Sequence, residues 1–237
     1  MKLHVVLGGP GTGKTSRLLQ IVEQELAKGV RSTEIAFVAF TKAAAEEAKT
    51  RAAAKLHLDP KTALTGFRTL HSMAYQLLSV DRDEIMDRKD WREFGRIIGE
   101  RITGGKAEWD EMEAVPVIYK GDALLQFNDY VRTTLADPAT TLRELQPEFD
   151  IWEAERFAAA LASFKLQRHK RDFTDLLTDV LANKIPIPGI RIAIVDEAQD
   201  LTKLQWQLIR HLFGKVERLY IGGDDDQVFH CLLPVVV

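Results

Sequence analysis

The sequence predicts an α/β fold, a parallel sheet flanked by helices and interrupted once by a helical insert. Three observations predict it. Short apolar runs without alternation stand at Leu3–Leu7 and Ile35–Phe40, the pattern of strands buried on both faces. Similar runs return at Ile190–Val195 and Val216–Ile221, each set apart by a helical pattern. Between Asp81 and about Arg171 no strand-like run occurs at all.

In chain order, a glycine-rich turn follows the first strand. A helix then runs from about Lys14 to Lys28 and stops at Gly29, with Leu18, Val22 and Leu26 on one face. The second strand leads into an alanine-rich helix, Lys42–Leu56. Phe67–Leu70 reads as a short strand and Ser72–Leu78 as the start of another helix. In the insert, helical patterns occupy Trp91–Ile102, Ala123–Leu135 and Trp152–Leu166, separated by Gly104-Gly105, Pro116, Pro138 and Pro147. Helices at Asp172–Ala182 and Thr202–Phe213 flank the third long strand. The expected division is 1–80 and 172–237 for the α/β domain and 81–171 for the insert.

The bulk composition fits that size. The chain has 237 residues, 46% hydrophobic and 28% charged, the mix of a globular protein with a substantial core. Its single cysteine, Cys231, excludes an internal disulfide and suits the cytoplasm. No signal peptide is read at the N-terminus, and no apolar run approaches the roughly 20 residues of a membrane helix. With a formal net charge of −3, a nucleic-acid partner must be held by a local groove.

Three motifs carry chemistry. Gly8-Gly9-Pro10-Gly11-Thr12-Gly13-Lys14-Thr15 fits G-x-x-x-x-G-K-[ST] between a strand and a helix. Its backbone N–H groups and the helix N-terminus suit a phosphate chain. Lys14 would neutralise the β and γ phosphates, and the Thr15 hydroxyl would ligate Mg2+. Asp196-Glu197-Ala198-Gln199-Asp200 ends an apolar strand, where ligands sit in open α/β sheets. There Asp196 is expected to hold the metal, and Glu197 to polarise the attacking water. Gly222-Gly223-Asp224-Asp225-Asp226-Gln227 ends another strand. Its three aspartates repel one another unless a cation stands near, and Gln227 could reach a γ phosphate.

Together these segments resemble the N-terminal motor domain of UvrD/Rep-type superfamily 1 DNA helicases, a RecA-like P-loop NTPase. The resemblance extends to Phe40–Ala48 with Arg51, Thr69–Ala74 and Asp172–Leu177, and all six pieces stand in the family's order over residues 8–227. It implies an ATP site of Gly9, Pro10, Gly11, Thr12, Gly13, Lys14, Thr15, Ser16, Arg17, Gln199 and Gln227. Lys14, Glu197 and Gln227 would act in hydrolysis, with Mg2+ on Thr15 and Asp196. It also implies a single-stranded DNA path along Thr41, Lys42, Thr69, His71 and Ser72, with Phe229 and His230 as remnants of a stacking segment. The basic run Lys165–Arg171 reads either as a DNA-backbone track or as a solvated helix end.

The sequence departs from the family in three places. The seven residues that precede Gly8 hold no adenine-reading glutamine motif, so the sequence does not fix selectivity for ATP over other nucleotides. The later stacking aromatic after Gln227 is absent. No second motor domain follows, so that half is expected on another chain or as lost by truncation. The expectation is an ATP-binding half-motor unable to unwind DNA alone. The competing readings are a standalone ATP- and DNA-binding regulatory module and, less consistent with Asp196–Asp200, a phosphate-loop kinase.

Overall fold

The computed structural model describes residues 1–9, 11–103 and 119–224. Pro10, Pro116, Gln227, Phe229, His230 and the remaining chain after Asp224 lie outside the described residues, as does Gly104-Gly105. The chain divides into two compact units, one of Met1–Leu78 with the chain from Asp179 onward, the other Ser79–Thr178.

The first unit is built on five parallel strands among the described residues: β1 (Lys2–Leu7), β2 (Ile35–Val38), β3 (Phe67–Arg68), β4 (Ile192–Val195) and β5 (Arg218–Gly223). They lie in the order β1-β5-β4-β2-β3. Helices connect them: α1 (Lys14–Ala27), α2 (Lys42–Leu56), α3 (Leu70–Leu78) and, before β5, α9 (Lys203–Phe213). Every residue of β2 and β4 is buried, as non-alternating sequences in a central parallel sheet require. Leu18 and Val22 of α1 pack against Ile35, Phe37, Ile192 and Ile194.

β1 differs from its expected double burial. It is an edge strand, and Val5 and Leu7 keep 36% and 39% of their surface exposed. Its apolar sequence does not distinguish edge from centre, because the position of a strand in the sheet is set by long-range pairing.

The second unit is helical: α4 (Arg88–Ile98), α5 (Lys120–Thr134), α6 (Pro138–Leu145) and α7 (Ile151–Arg168), with the start of α8 (Phe173–Ala182). Its core centres on the fully buried Phe94, whose ring lies 5.4 Å from Phe157 and 5.5 Å from Phe164. Pro138, read in the sequence as a separator, instead opens α6 at its first turn, with the Asp137 side chain accepting from Thr140 N at 2.8 Å. That is proline's favoured helical position, where a missing N–H costs nothing.

The unit runs on to Thr178 rather than ending near Arg171 because Asp172 and Asp175 are claimed by it. Lys165 donates to Asp172 at 2.6 Å and Arg132 at 2.7 Å, and both cations also reach Asp175. The same two aspartates cap α8 reciprocally, each accepting from the other's backbone N–H at 2.8 Å.

Candidate active site

Strands β1, β4 and β5 point their C-terminal ends the same way, so the three polar segments that follow them meet at one rim of the sheet. The first is the glycine-rich turn. Gly13 stands at φ 85°, in the left-handed region, immediately before α1, a conformation that glycine alone adopts without strain. The Thr12 hydroxyl closes the turn by donating to Gly9 O at 2.7 Å.

Lys14 heads α1 and is 8% exposed. Its ammonium donates to Gly8 O at 2.7 Å, pairs with the Asp224 carboxylate, and lies 3.8 Å from Glu197. Burial pulls the Lys14 pKa down, but the hydrogen bond to Asp224 and the charges of Glu197, Asp224 and Asp196 outweigh it and hold the group above its usual value. The cation that adjacent aspartates require is therefore Lys14, at least for Asp224.

Thr15 Oγ1 donates to Asp196 Oδ2 at 2.8 Å. Asp196 is buried, and burial, reinforced by the Glu197 charge, raises its pKa. A hydroxyl and a carboxylate oxygen side by side are hard donors, suited to a Mg2+ that keeps most of its shell as water and phosphate oxygens. Among the described residues no group of three or more His, Cys, Asp or Glu side chains suits a metal.

Glu197 follows in a left-handed conformation, φ 51°, which costs a non-glycine residue about 1–2 kcal/mol and is characteristic of functional positions. Gln199 fixes its side chain: Nε2 donates to Glu197 Oε2 at 2.7 Å, while Oε1 accepts from Asp224 N at 3.3 Å. Gln199 thus joins the segment after β4 to the segment after β5. Gly222 lets β5 approach: a Cβ there would stand 2.7 Å from Leu18 Cδ1.

Ser16 and Arg17, in the first turn of α1, are exposed. Arg17 turns along its own helix and donates to Gln20 Oε1 at 3.1 Å, whereas the Ser16 hydroxyl accepts from Arg51 Nη2 at 2.6 Å. In the sequence Arg51 stands only at the close of a motif; its reach across to α1 requires the packing of α2 on α1.

The remaining candidates cluster at the ends of β2 and β3, which are paired neighbours. Thr41 caps α2, accepting from Ala44 N at 3.1 Å, and Thr69 caps the start of α3, accepting from Ser72 N at 3.2 Å. Ser72 Oγ accepts from Arg68 at 3.3 Å. His71 is half-buried, and burial lowers its pKa. Lys42 is exposed at the first position of α2, where the helix dipole disfavours a cation; an anion at that spot removes the conflict. Beside it Phe40 is 44% exposed, an exposure that its place at the end of an apolar run does not signal.

The basic run is committed within its own unit. Lys165 is buried against Asp172 and Asp175, Arg168 pairs with Glu93, Lys170 with Asp90 at 2.9 Å, and Arg171 with Glu84.

A phosphate loop, a strand-end acid pair and a parallel sheet that brings them together define a P-loop nucleotide-binding protein. Over residues 2–230 the chain matches the family described as UvrD/REP helicase N-terminal domain, and it belongs to that family. It is 29% identical to DNA helicase II of Haemophilus influenzae, over 94% of this chain and 32% of that protein. It is 23% identical to the ATP-dependent DNA helicase PcrA of Bacillus subtilis, over 94% and 31%. With a probable DNA helicase of Mycoplasma pneumoniae it shares 25% identity, over 96% and 45%. The chain therefore spans 31% to 45% of the length of these relatives. No helix among the described residues is long and apolar enough to cross a membrane.

Proposed function

We propose that this chain is the ATP-binding half of a UvrD/Rep-like, ATP-dependent single-stranded DNA translocase, acting in the cytoplasm and unable to unwind DNA alone. The observation that carries the reading is the convergence of Lys14, Thr15, Asp196, Glu197 and Gln199 at one rim of the sheet. In this reading Gly9, Gly11, Thr12 and Gly13 wrap the phosphates with backbone N–H groups, and Pro10, which has none, belongs to the same loop. Lys14 exchanges Asp224 for phosphate oxygens. Thr15 and Asp196 hold Mg2+, which when bound offsets phosphate charge. Glu197, oriented by Gln199, takes the proton of the attacking water, and Gln227 senses the γ phosphate.

The DNA path is proposed along Phe40, Thr41, Lys42, Thr69, His71 and Ser72. Two neighbouring helix N-termini there offer N–H groups and hydroxyls to phosphates without reading sequence, and Phe40 offers a stacking face. Phe229 and His230 belong to the same proposed path. The relatives' names supply DNA as the track.

A second motor half, on another chain or on a part of the protein beyond this sequence, would complete the cycle. Arginines delivered across such a cleft are worth roughly three to five powers of ten in rate. Hydrolysis by the purified chain, with and without single-stranded DNA and beside Lys14→Ala and Glu197→Gln, tests this. The expected result is nucleotide binding that needs Lys14, with negligible turnover that DNA does not stimulate. DNA-stimulated turnover by the chain alone, abolished by both substitutions, would overturn the half-motor reading.

A further inference from the structure

A second concavity lies at the opposite end of the sheet from the phosphate loop. Thr33 stands just before β2, Thr65 and Gly66 before β3, and Ile190 before β4. The parallel strands start here and run toward the nucleotide rim. A cavity of about 350 Å³ opens between these strand starts and α3, lined wholly by residues of the first unit. Its floor is apolar: Ala36 is fully buried and Met73 nearly so. Ile187 and Ile190 extend the apolar lining. A concave apolar surface of this size with a few polar groups is the general make-up of a small-molecule site.

The polar groups of the lining are Thr33, Thr65, Gln76 and Arg68. The side chains of Thr33, Thr65 and Gln76 make no hydrogen bond among the described residues. Arg68 is the one charged residue of the lining. It is half-buried. Its Nε donates to Thr65 O at 2.6 Å and its Nη1 to Ser72 Oγ at 3.3 Å. Those two bonds fix the guanidinium plane and leave Nη2 to donate elsewhere. No carboxylate among the described residues pairs with it. Arg191, which also precedes β4, is by contrast held by Glu217 at 2.6 Å and Glu34 at 3.4 Å. A guanidinium partly withdrawn from water without an acid partner favours an anion. A planar fork matches a carboxylate, and a single cation among neutral hydroxyls and a carboxamide matches a single negative charge.

We infer that this cavity binds a small monocarboxylate with an apolar body. Arg68 takes the carboxylate, and the hydrocarbon lies over Ala36 and Met73. The site stands apart from the phosphate loop and does not depend on the ATP reading.

The experiment is an NMR titration of the methyl-labelled chain with octanoate and with octanamide, its neutral counterpart. Wild type, Arg68→Gln and Gln76→Trp are compared, with the unfolding midpoint of each measured alongside. Octanoate is expected to shift the methyl signals of Met73, Ile187 and Ile190 saturably. Loss of a charge-assisted hydrogen bond is expected to weaken binding about tenfold, both for octanamide in wild type and for octanoate in Arg68→Gln. Octanamide is expected to bind Arg68→Gln as it binds wild type. Gln76→Trp, which sets a bulky ring at the mouth, is expected to weaken both ligands. Equal affinity of wild type for octanoate and octanamide, or shifts that do not saturate or spread to methyls away from the cavity, overturns the inference. So does undiminished octanoate binding by a folded Arg68→Gln chain. Should that variant unfold, the comparison of the two ligands on wild type decides alone.

Discussion

Thr15 donates a 2.8 Å hydrogen bond to Asp196 across 181 residues of sequence. The bond marks where two strand ends meet and where the proposed Mg2+ site places its two protein oxygens. Asp196→Asn keeps the size and loses the charge. Nucleotide binding without magnesium is expected to be retained in this variant, and its strengthening by magnesium to disappear. Paired titrations with magnesium and with EDTA check this; an unchanged magnesium effect would remove Asp196 from the metal site.

Phe40 and Lys42 frame the proposed DNA path. Phe40→Ala is expected to cost about 1–3 kcal/mol of single-strand affinity, and Lys42→Ala to lower the salt dependence by about one phosphate contact. Fluorescence anisotropy with a labelled oligonucleotide at several salt concentrations measures both. Neither substitution moving the affinity would place the track elsewhere.

Glu25 on α1 is fully buried, and it accepts from Tyr220 at 2.8 Å and Arg218 at 2.7 Å on β5 and from Lys28 at 2.9 Å. Burial raises its pKa, but the hydrogen bonds from Lys28 and Tyr220 and the charge of Arg218 bring it below 4.5. Its stabilisation is therefore present above about pH 4.5 and lost as pH falls through the lower folded value. Burial and the Glu25 bond push Tyr220 up to about 12 from 10.0, so its share is present below pH 10 and lost as pH rises toward 12. Glu25→Gln is expected to cost about 2–4 kcal/mol near neutral pH, with the difference from wild type shrinking at acid pH. Chemical unfolding across pH tests the sign.

Lys165 contributes to folding of the helical unit. Burial pushes the Asp172 carboxyl up, and Arg132 and Lys165 together bring it below its ordinary range. Lys165→Met leaves Arg132 alone against two carboxylates and is expected to destabilise the unit by about 3 kcal/mol. Arg168→Ala and Lys170→Ala are expected to leave single-strand affinity unchanged. Weaker DNA binding in those two variants would return the basic run to the DNA path.

Gly222→Ala sets a methyl group 2.7 Å from the flexible tip of buried Leu18. Leu18 can shift at a cost, so a loss of about 1–2 kcal/mol is expected. A smaller loss would mean that α1 moves freely over β5.

The sequence by itself determined the class of fold and the family. Central strands buried on both faces carry no alternation, which made Ile35–Val38 and Ile192–Val195 legible. A phosphate loop is a local backbone solution, so its residues sit together in sequence as they do in space. Most helix bounds were legible to within a few residues, but α6 was read as a break, because a proline marks a helix's first turn as readily as its end.

Only the tertiary structure decided the rest. β1 became the sheet edge, Lys165–Arg171 paired with acids up to 87 residues away, and Lys14 met Asp224, Arg51 met Ser16 and Glu25 met Arg218. These are ion pairs and close approaches between residues far apart in the chain. Charge and side-chain length make such contacts possible at many positions. Which of them form depends on strand order and on which helices pack together, and neither leaves a periodic mark in the sequence.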